Sequence, residues 1–302
     1  MPAITVKNLT KTYDKGKILA VDDISFEVGK GELFGLIGPD GAGKTSIFRM
    51  LTTLLLPDTG QATVDGFDVV KDFKKIRNTV GYMPGKFSLY QDLTIEENLN
   101  FFATVFNTTV EENYSLIKDI YIQIEKFKTR KAGNLSGGMK QKLALCCALI
   151  HKPTTLFLDE PTTGVDPVSR KEFWDMLKRL KEQGITIVVS TPYMDEANRC
   201  DRIALIQSGK ILSIDTPAAI INSFSAKLYA IKANKMYPLL KALELFPKRK
   251  NSYAFGEFAH AVFDSQMEEH ELMEYLETSG LSQIQIEAIE PTIEDTFIKL
   301  LS

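Results

Sequence analysis

The alternation of apolar and polar positions changes rhythm several times along the chain. Residues 4–13 alternate with the period of two expected of a half-buried strand. Residues 23–28 repeat that pattern before the turn at Gly29 to Gly31. Residues 33–37 form a continuous apolar run, the mark of a strand buried on both faces. A glycine-rich loop follows and opens a predicted helix over 45–55. Residues 57–60 predict a turn, and 61–64 with 67–69 a peripheral hairpin. From about Tyr90 to Leu149 the period becomes helical. One predicted helix holds Leu93, Leu99, Phe101 and Phe102, a second covers 115–127 and a third 140–150.

Strand-like runs return at 155–158, 185–190 and 202–207, with a helix over 170–182 between the first two. Strands alternating with helices predict an α/β fold, a mainly parallel sheet covered by helices, with a helical block inserted at about 86–150. Past Ser208-Gly209-Lys210 and Thr216-Pro217 the order becomes βαββαβ. The strands are predicted at 227–232, 252–255, 261–263 and 283–289, and the helices at 237–245 and 267–278, with a last helix from Ile293. Residues 1–215 thus predict one domain, and 216–302 a small C-terminal α+β domain, ferredoxin-like with an added helix. Thr292 and Asp295 have the spacing of an acidic capping box for that helix.

Composition narrows the classes. A chain of 302 residues, 44% hydrophobic, is long enough for both domains. Its net charge of −3 points to neither nucleic acid nor an anionic membrane surface, so no nucleic-acid partner is expected. Cys146, Cys147 and Cys200 are an odd count without metal-like spacing. The adjacent pair lies in an apolar run and reads as buried thiols in a reducing, cytosolic compartment. Apolar stretches such as 185–189 fall well short of the roughly 20 residues of a membrane-spanning helix. The N-terminus shows no signal-peptide pattern. Passage across a membrane would belong to another chain.

Two segments carry chemistry. Gly38-Pro39-Asp40-Gly41-Ala42-Gly43-Lys44-Thr45 fits G-x-x-x-x-G-K-[ST] between a predicted strand and a predicted helix, the context that motif requires. Glycines let successive N–H groups turn inward on phosphates, and the helix N-terminus adds partial positive charge. Lys44 neutralises the β- and γ-phosphates of ATP, and the Thr45 hydroxyl ligates Mg²⁺. Asp40 is out of place beside a polyanion, and its carboxylate is expected to point away from the nucleotide, toward a partner subunit. The second segment is the apolar run 155–158 ending in Asp159 and Glu160. Adjacent acids there are costly unless paired or metal-bound. Asp159 is the expected Mg²⁺ anchor, through water, and Glu160 is placed to orient or deprotonate an attacking water.

Leu135-Ser136-Gly137-Gly138-Met139-Lys140-Gln141, lying between these two segments, resembles the signature of ABC transporter ATP-binding subunits. With Tyr13, Gly38 to Ser46, Leu156 to Glu160 and Gly164-Val165-Asp166, the resemblance covers most of residues 1–215. It implies a P-loop NTPase fold of the ABC type, with an antiparallel β subdomain and an inserted helical subdomain. It implies that Tyr13 stacks on adenine and that Ser136, Gly137 and Gly138 bind the γ-phosphate of a nucleotide held by a second ATP-binding subunit. Asp166 is similar to the residue that links the two sites across the interface. Glu290-Pro291-Thr292-Ile293-Glu294-Asp295-Thr296-Phe297 resembles the tail of ATPases serving ABC-2-type exporters, the drug-resistance group included. The implied protein is an ATP-hydrolysing subunit, peripheral on the inner face of the membrane, that powers an exporter with separate permease chains. The surface that receives permease helices in that family falls on 87–99, with Phe87, Leu89 and Tyr90.

The chain departs from the family at two positions. Gly85 stands where a Gln usually reaches Mg²⁺ and the attacking water, and Pro192 where a His usually contacts the γ-phosphate. Binding is expected to survive and hydrolysis to be slow. The partner is then either a second copy or a distinct, fully equipped subunit that leaves two unequal sites. Two rival functions stay open. A soluble ABC ATPase without a transporter usually carries two cassettes or long coiled coils, and neither is seen. A nucleotide-gated regulatory subunit with little hydrolysis is favoured by Gly85 and Pro192.

Overall fold

The computed structural model describes residues 1–264 and 267–301. The chain divides into two compact units, Met1–Ala218 and Ala219–Ser302. The division lies three residues beyond the boundary the sequence pattern suggests.

The first unit contains two sheets. Strands β1 (Ile4–Tyr13) and β2 (Ile18–Val28) pair antiparallel. With β4 (Thr59–Val64) and β5 (Phe67–Asp68) they form a four-stranded sheet in the order β2-β1-β4-β5. The second sheet has six strands. It uses β3 (Leu33–Ile37), β6 (Val80–Met83), β7 (Thr155–Asp159), β8 (Thr186–Thr191), β9 (Arg202–Gln207) and β10 (Lys210–Asp215), in the order β10-β9-β3-β8-β7-β6. All its pairings are parallel except β9 with β10. Every residue of β3, β7 and β8 is buried, which is why β3 and the middles of β7 and β8 read as apolar runs.

Helix α1 (Lys44–Leu51) packs against β2, β4 and β7 and so joins the two sheets. Its Phe48 ring meets Phe157 edge-on at 5.6 Å, inside a core that also takes Ile4, Val6, Phe26 and Phe34. The helix is shorter than its apolar pattern suggests, because residues 52–55 leave the helical path and Thr53 has φ 64°.

Helix α2 (Phe73–Thr79) precedes β6. The inserted block holds α3 (Ile95–Val105), α4 (Tyr114–Tyr121) and α5 (Gly137–Leu149). Thr94 and Glu97 form a reciprocal capping box that starts α3. Fully buried Asn98 bonds both the N–H and the carbonyl of Tyr90, each at 3.0 Å, and so holds the approach from β6 into the block. Helix α6 (Pro167–Glu182) lies between β7 and β8, and α7 (Pro217–Asn222) spans the division between the units.

Four elements had no clear trace in the pattern: α2, β6, β10 and α7. The first two are seven and four residues long, too short to establish a period. The residues of β10 lie just before the predicted domain boundary, where the pattern gives no strand, and they close a hairpin with β9 through Ser208 and Gly209, both at positive φ.

The second unit runs β11 (Leu228–Lys232), α8 (Met236–Leu245), β12 (Arg249–Phe255), β13 (Phe258–Phe263), α9 (Glu269–Thr278), β14 (Gln285–Ile289) and α10 (Ile293–Leu301). Its antiparallel sheet has the order β12-β13-β11-β14, a βαββαβ arrangement of the split-βαβ type. Tyr229, Ile231, Ala261 and Phe263 meet Leu239 and Leu272 in its main core.

The capping box at 292–295 is present. The Thr292 N–H donates to Asp295 Oδ2 at 2.7 Å, and the Asp295 N–H donates to Thr292 Oγ1 at 3.2 Å. Asp295 is fully buried and also bonds Tyr253 Oη at 2.8 Å and His260 Nδ1 at 2.6 Å. Burial alone would raise its pKa, but bonds from Thr292, His260 and Tyr253 hold the carboxyl below its ordinary value.

Replacing Asp295 by Ala strands buried His260 and half-buried Tyr253. We expect a loss of about 2–4 kcal/mol from the second unit. Hydrogen exchange in β11 to β14 should accelerate, while the urea midpoint of Trp174 fluorescence, which reports the first unit, stays in place.

Candidate active site

The carboxyl ends of β3, β8 and β7 lie side by side, and the phosphate loop leaves the first of them. The Gly38 N–H donates to the Thr191 carbonyl at 3.2 Å, which fixes the loop to the end of β8. A Cβ on Gly38 would sit 2.1 Å from the Ile206 carbonyl. Gly43 has φ 104°, and a Cβ there would sit 2.3 Å from the Ala20 carbonyl. Both positions exclude any side chain. The β9–β10 turn clasps the loop from outside, with the Gly209 N–H on the Ala42 carbonyl at 3.0 Å. Asp40 and Gly41 form the exposed tip, and Pro39 is partly buried.

Lys44 begins α1 and is 3% exposed. Its ammonium donates to the carbonyls of Gly38 at 2.8 Å and Pro39 at 2.9 Å, and pairs with Glu160 Oε1 at 3.2 Å. Thr45 Oγ1 donates to Asp159 Oδ2 at 2.8 Å, and Ser190 Oγ donates to Asp159 Oδ1 at 2.5 Å. Asp159 is 2% exposed, so these two hydroxyls offset much of the cost of burying its charge. Burial, then the charge of Asp159, pushes the Tyr82 phenol up to about 12. Glu160 turns back at φ 50°, with its N–H on both the carbonyl and the hydroxyl of Ser190, each at 3.0 Å. The paired oxygens of Thr45 and Asp159 are the hard donors that Mg²⁺ prefers.

Tyr13 ends β1, and its hydroxyl lies 3.0 Å from Ser46 Oγ, so the ring is anchored beside the start of α1. Gly85 lies against the acids. A Cβ there would have the Asp159 carbonyl at 3.1 Å and Glu160 Cβ at 3.8 Å as its nearest neighbours. Pro192 follows the last residue of β8.

Ser136 caps α5, with its Oγ accepting from the Met139 N–H at 3.4 Å. Ser136 and Gly137 are exposed, so the first amides of a 13-residue helix face outward. Asp166 is exposed and caps α6 by accepting from the Ser169 N–H at 3.0 Å, a bond that lowers its pKa. Ser136, Gly137, Gly138 and Asp166 form no described hydrogen bond with Lys44 or Asp159. One set of sequence-selected residues therefore gathers in a cradle, and the other stands at two exposed helix starts.

Sequence reasoning missed Ser190 and Glu196. Ser190 is the polar residue near the end of an apolar strand, and that was the available signal. Glu196 is 3% exposed and bonds Thr162, Arg170 and Thr191.

A cavity of about 260 Å³ opens between β6 and the helical block, lined by Tyr82, Pro84, Phe87, Leu89, Phe106 and His151 among others. His151 stacks on Phe106 at 3.9 Å, and burial holds its imidazole below the ordinary range. Tyr90 is half-exposed and stands edge-on to Phe101 at 4.7 Å.

The family model described as ABC transporter matches residues 21–163. The "Probable multidrug ABC transporter ATP-binding protein YbhF" of Escherichia coli is 37% identical over 304 residues, covering 99% of this chain and 52% of that protein. The chain thus spans about half the length of that relative. The "Nod factor export ATP-binding protein I" of a Rhizobium species is 32% identical over 302 residues, covering 99% of this chain and 96% of that one. Among solved structures, a dimeric ATP-binding cassette in a post-hydrolysis state with ADP and Pi bound is 27% identical with a TM-score of 0.64. That match covers 70% of this chain and 98% of the other.

Gly43→Ala combines a disfavoured φ with a backbone clash. We expect a loss of about 2–3 kcal/mol from the first unit, measured as a lower urea midpoint of Trp174 fluorescence.

Proposed function

The chain belongs to the ABC transporter family of ATP-binding proteins, and on that premise we propose that it binds and hydrolyses MgATP to power a membrane exporter. The observation that carries this reading is the cradle itself: Lys44 at a helix start, with the Thr45–Asp159 pair beside it. A triphosphate fits there because the N-terminus of α1 and the Lys44 ammonium bring positive charge to the same end of the loop.

Each residue of the cradle has a role. Lys44 exchanges its contact with Glu160 for phosphate oxygens. Glu160, released from that pair, accepts the proton of a water whose oxygen attacks the γ-phosphorus as the bond to the β–γ bridging oxygen breaks. Thr45 and Asp159 hold Mg²⁺, which neutralises phosphate charge when bound. Tyr13 stacks on adenine. Ser136, Gly137 and Gly138 close the nucleotide site of a second ATP-binding subunit, and Asp166 joins the two sites across that interface. Asp40, exposed at the loop tip, faces the same partner. A permease chain docks at the groove between β6 and the helical block, through Phe87, Leu89 and Tyr90. Among the described residues no helix is long and apolar enough to cross a membrane. The chain then works on the inner membrane face, and the multidrug and Nod factor names of its relatives support export.

A second reading is favoured by Gly85 and Pro192. Neither position supplies the side chain that would hold the attacking water or the γ-phosphate, and Pro192 has no N–H to donate. Losing one such donor costs on the order of 10²–10³ in rate, and two losses need not add. The site then binds ATP and turns it over slowly, and a distinct partner completed by Ser136, Gly137 and Gly138 supplies the fast site.

Two measurements test these readings. In calorimetry, MgATP should bind the wild-type chain, and Lys44→Ala should weaken that binding about 100-fold. Equal affinity in the two proteins contradicts the cradle. In steady-state hydrolysis, Gly85→Gln should raise the rate at least about tenfold, since a Cβ there meets the Asp159 carbonyl at 3.1 Å and Glu160 Cβ at 3.8 Å, which puts the new side chain beside both acids. A brisk wild-type rate that Gly85→Gln leaves unchanged contradicts the degenerate-site reading.

A further inference from the structure

Glu196 lies in the short turn Met194–Arg199 after β8. Its Oε1 accepts from Thr162 Oγ1 at 2.8 Å and from Arg170 Nε and Nη2 at 3.2 and 2.9 Å. Its Oε2 accepts from Thr191 Oγ1 at 2.6 Å. The donors come from three segments: the loop after Glu160, the first turns of α6, and the end of β8. Each of those segments is fixed in turn to the candidate site. The Thr191 carbonyl accepts from the Gly38 N–H, and the Arg170 N–H donates to the Asp166 carbonyl at 2.9 Å. The Thr191 hydroxyl also accepts from the Tyr193 N–H at 3.1 Å, and the Arg170 guanidinium stands 4.2 Å from the Tyr193 ring centroid. A continuous path therefore runs from the phosphate loop through Thr191 and Glu196 to Thr162, Arg170 and Asp166.

Stability alone does not account for this arrangement. A buried ion pair gains little over a well-packed apolar cluster of the same volume, because desolvation consumes most of the attraction. What such a group does supply is register: four bonds from three segments leave few alternative positions for any of them. Pro192 sharpens the point. It brings no donor to residues 191–196, and the described side-chain hydrogen bond from that segment to the loop 160–166 is the one between Glu196 and Thr162.

We propose that Glu196 is a positioning residue that couples occupancy of the phosphate loop to the loop carrying Glu160 and Asp166. This rests on the nucleotide-binding reading above. When a triphosphate orders the phosphate loop, Thr191 moves with Gly38, and the Glu196 carboxylate carries that shift to Thr162 and Arg170. Loss of the strut leaves nucleotide binding intact and uncouples the interface loop from it.

The test is hydrogen exchange on the full chain with and without MgATP, in wild type, Glu196→Gln and Thr162→Val. In wild type, MgATP slows exchange in 38–46 and in 160–166. In both variants the affinity and the protection of 38–46 should stay within about twofold of wild type, while the ATP-induced protection of 160–166 falls about tenfold. Thr162→Val keeps the Glu196–Arg170 pair, so it carries the test if Glu196→Gln does not fold. Unchanged ATP-induced protection of 160–166 in Thr162→Val overturns the proposal. So does faster exchange there by the same factor with and without nucleotide, the mark of a purely structural bond. Absence of protection at 38–46 in wild type overturns the nucleotide reading itself, and this inference with it.

Discussion

The Asp159 carboxylate, 2% exposed and held between the hydroxyls of Thr45 and Ser190, is the constraint that the rest of the first unit serves. A charge at that depth is tolerable only where donors are already in place. One donor comes from the first turn of α1 and the other from β8, so two elements distant in sequence must meet at the end of β7. The parallel sheet does this by bringing the carboxyl ends of β3, β8 and β7 together, the location at which α/β sheets bind ligands. The same requirement explains why Gly38 and Gly43 are glycines: α1 can start close enough to Asp159 only if the loop passes directly beside the Ile206 and Ala20 carbonyls.

Much of this was legible in the sequence because the relevant signals are local. The motif from Gly38 to Thr45, the acids after 155–158, and the Ser136-Gly137-Gly138 turn each place their chemistry within a few residues. Fully buried strands such as β3 and β8 announce themselves as apolar runs. The βαββαβ order of the second unit and the Thr292–Asp295 box were readable for the same reason. What stayed hidden is non-local or short. Nothing near Ser190 says that its hydroxyl will meet an acid 31 positions earlier. Glu196 looks like one more charged residue in a polar turn until Thr162 and Arg170 arrive from elsewhere. The strand β6 has four residues, and β10 was obscured by the turn that precedes it.

The two unusual positions divide the site by task. On the proposed reading, Lys44, Thr45 and Asp159 supply the grip on a triphosphate, while Gly85 and Pro192 fall where side chains would steer a water or the terminal phosphate. Glycine at 85 leaves the space beside the Asp159 carbonyl open, and proline at 192 removes a donor without disturbing Thr191, whose hydroxyl and carbonyl are both engaged.

The central claim is that Thr45 and Asp159 anchor the metal of a nucleotide held at Lys44. Electron paramagnetic resonance with Mn²⁺ in place of Mg²⁺ tests it most directly. The account predicts that the chain immobilises Mn²⁺ only when ATP is present, with phosphorus coupling to the metal, and that Thr45→Ala abolishes the signal. Mn²⁺ bound equally well without ATP, or unaffected by Thr45→Ala, would contradict it.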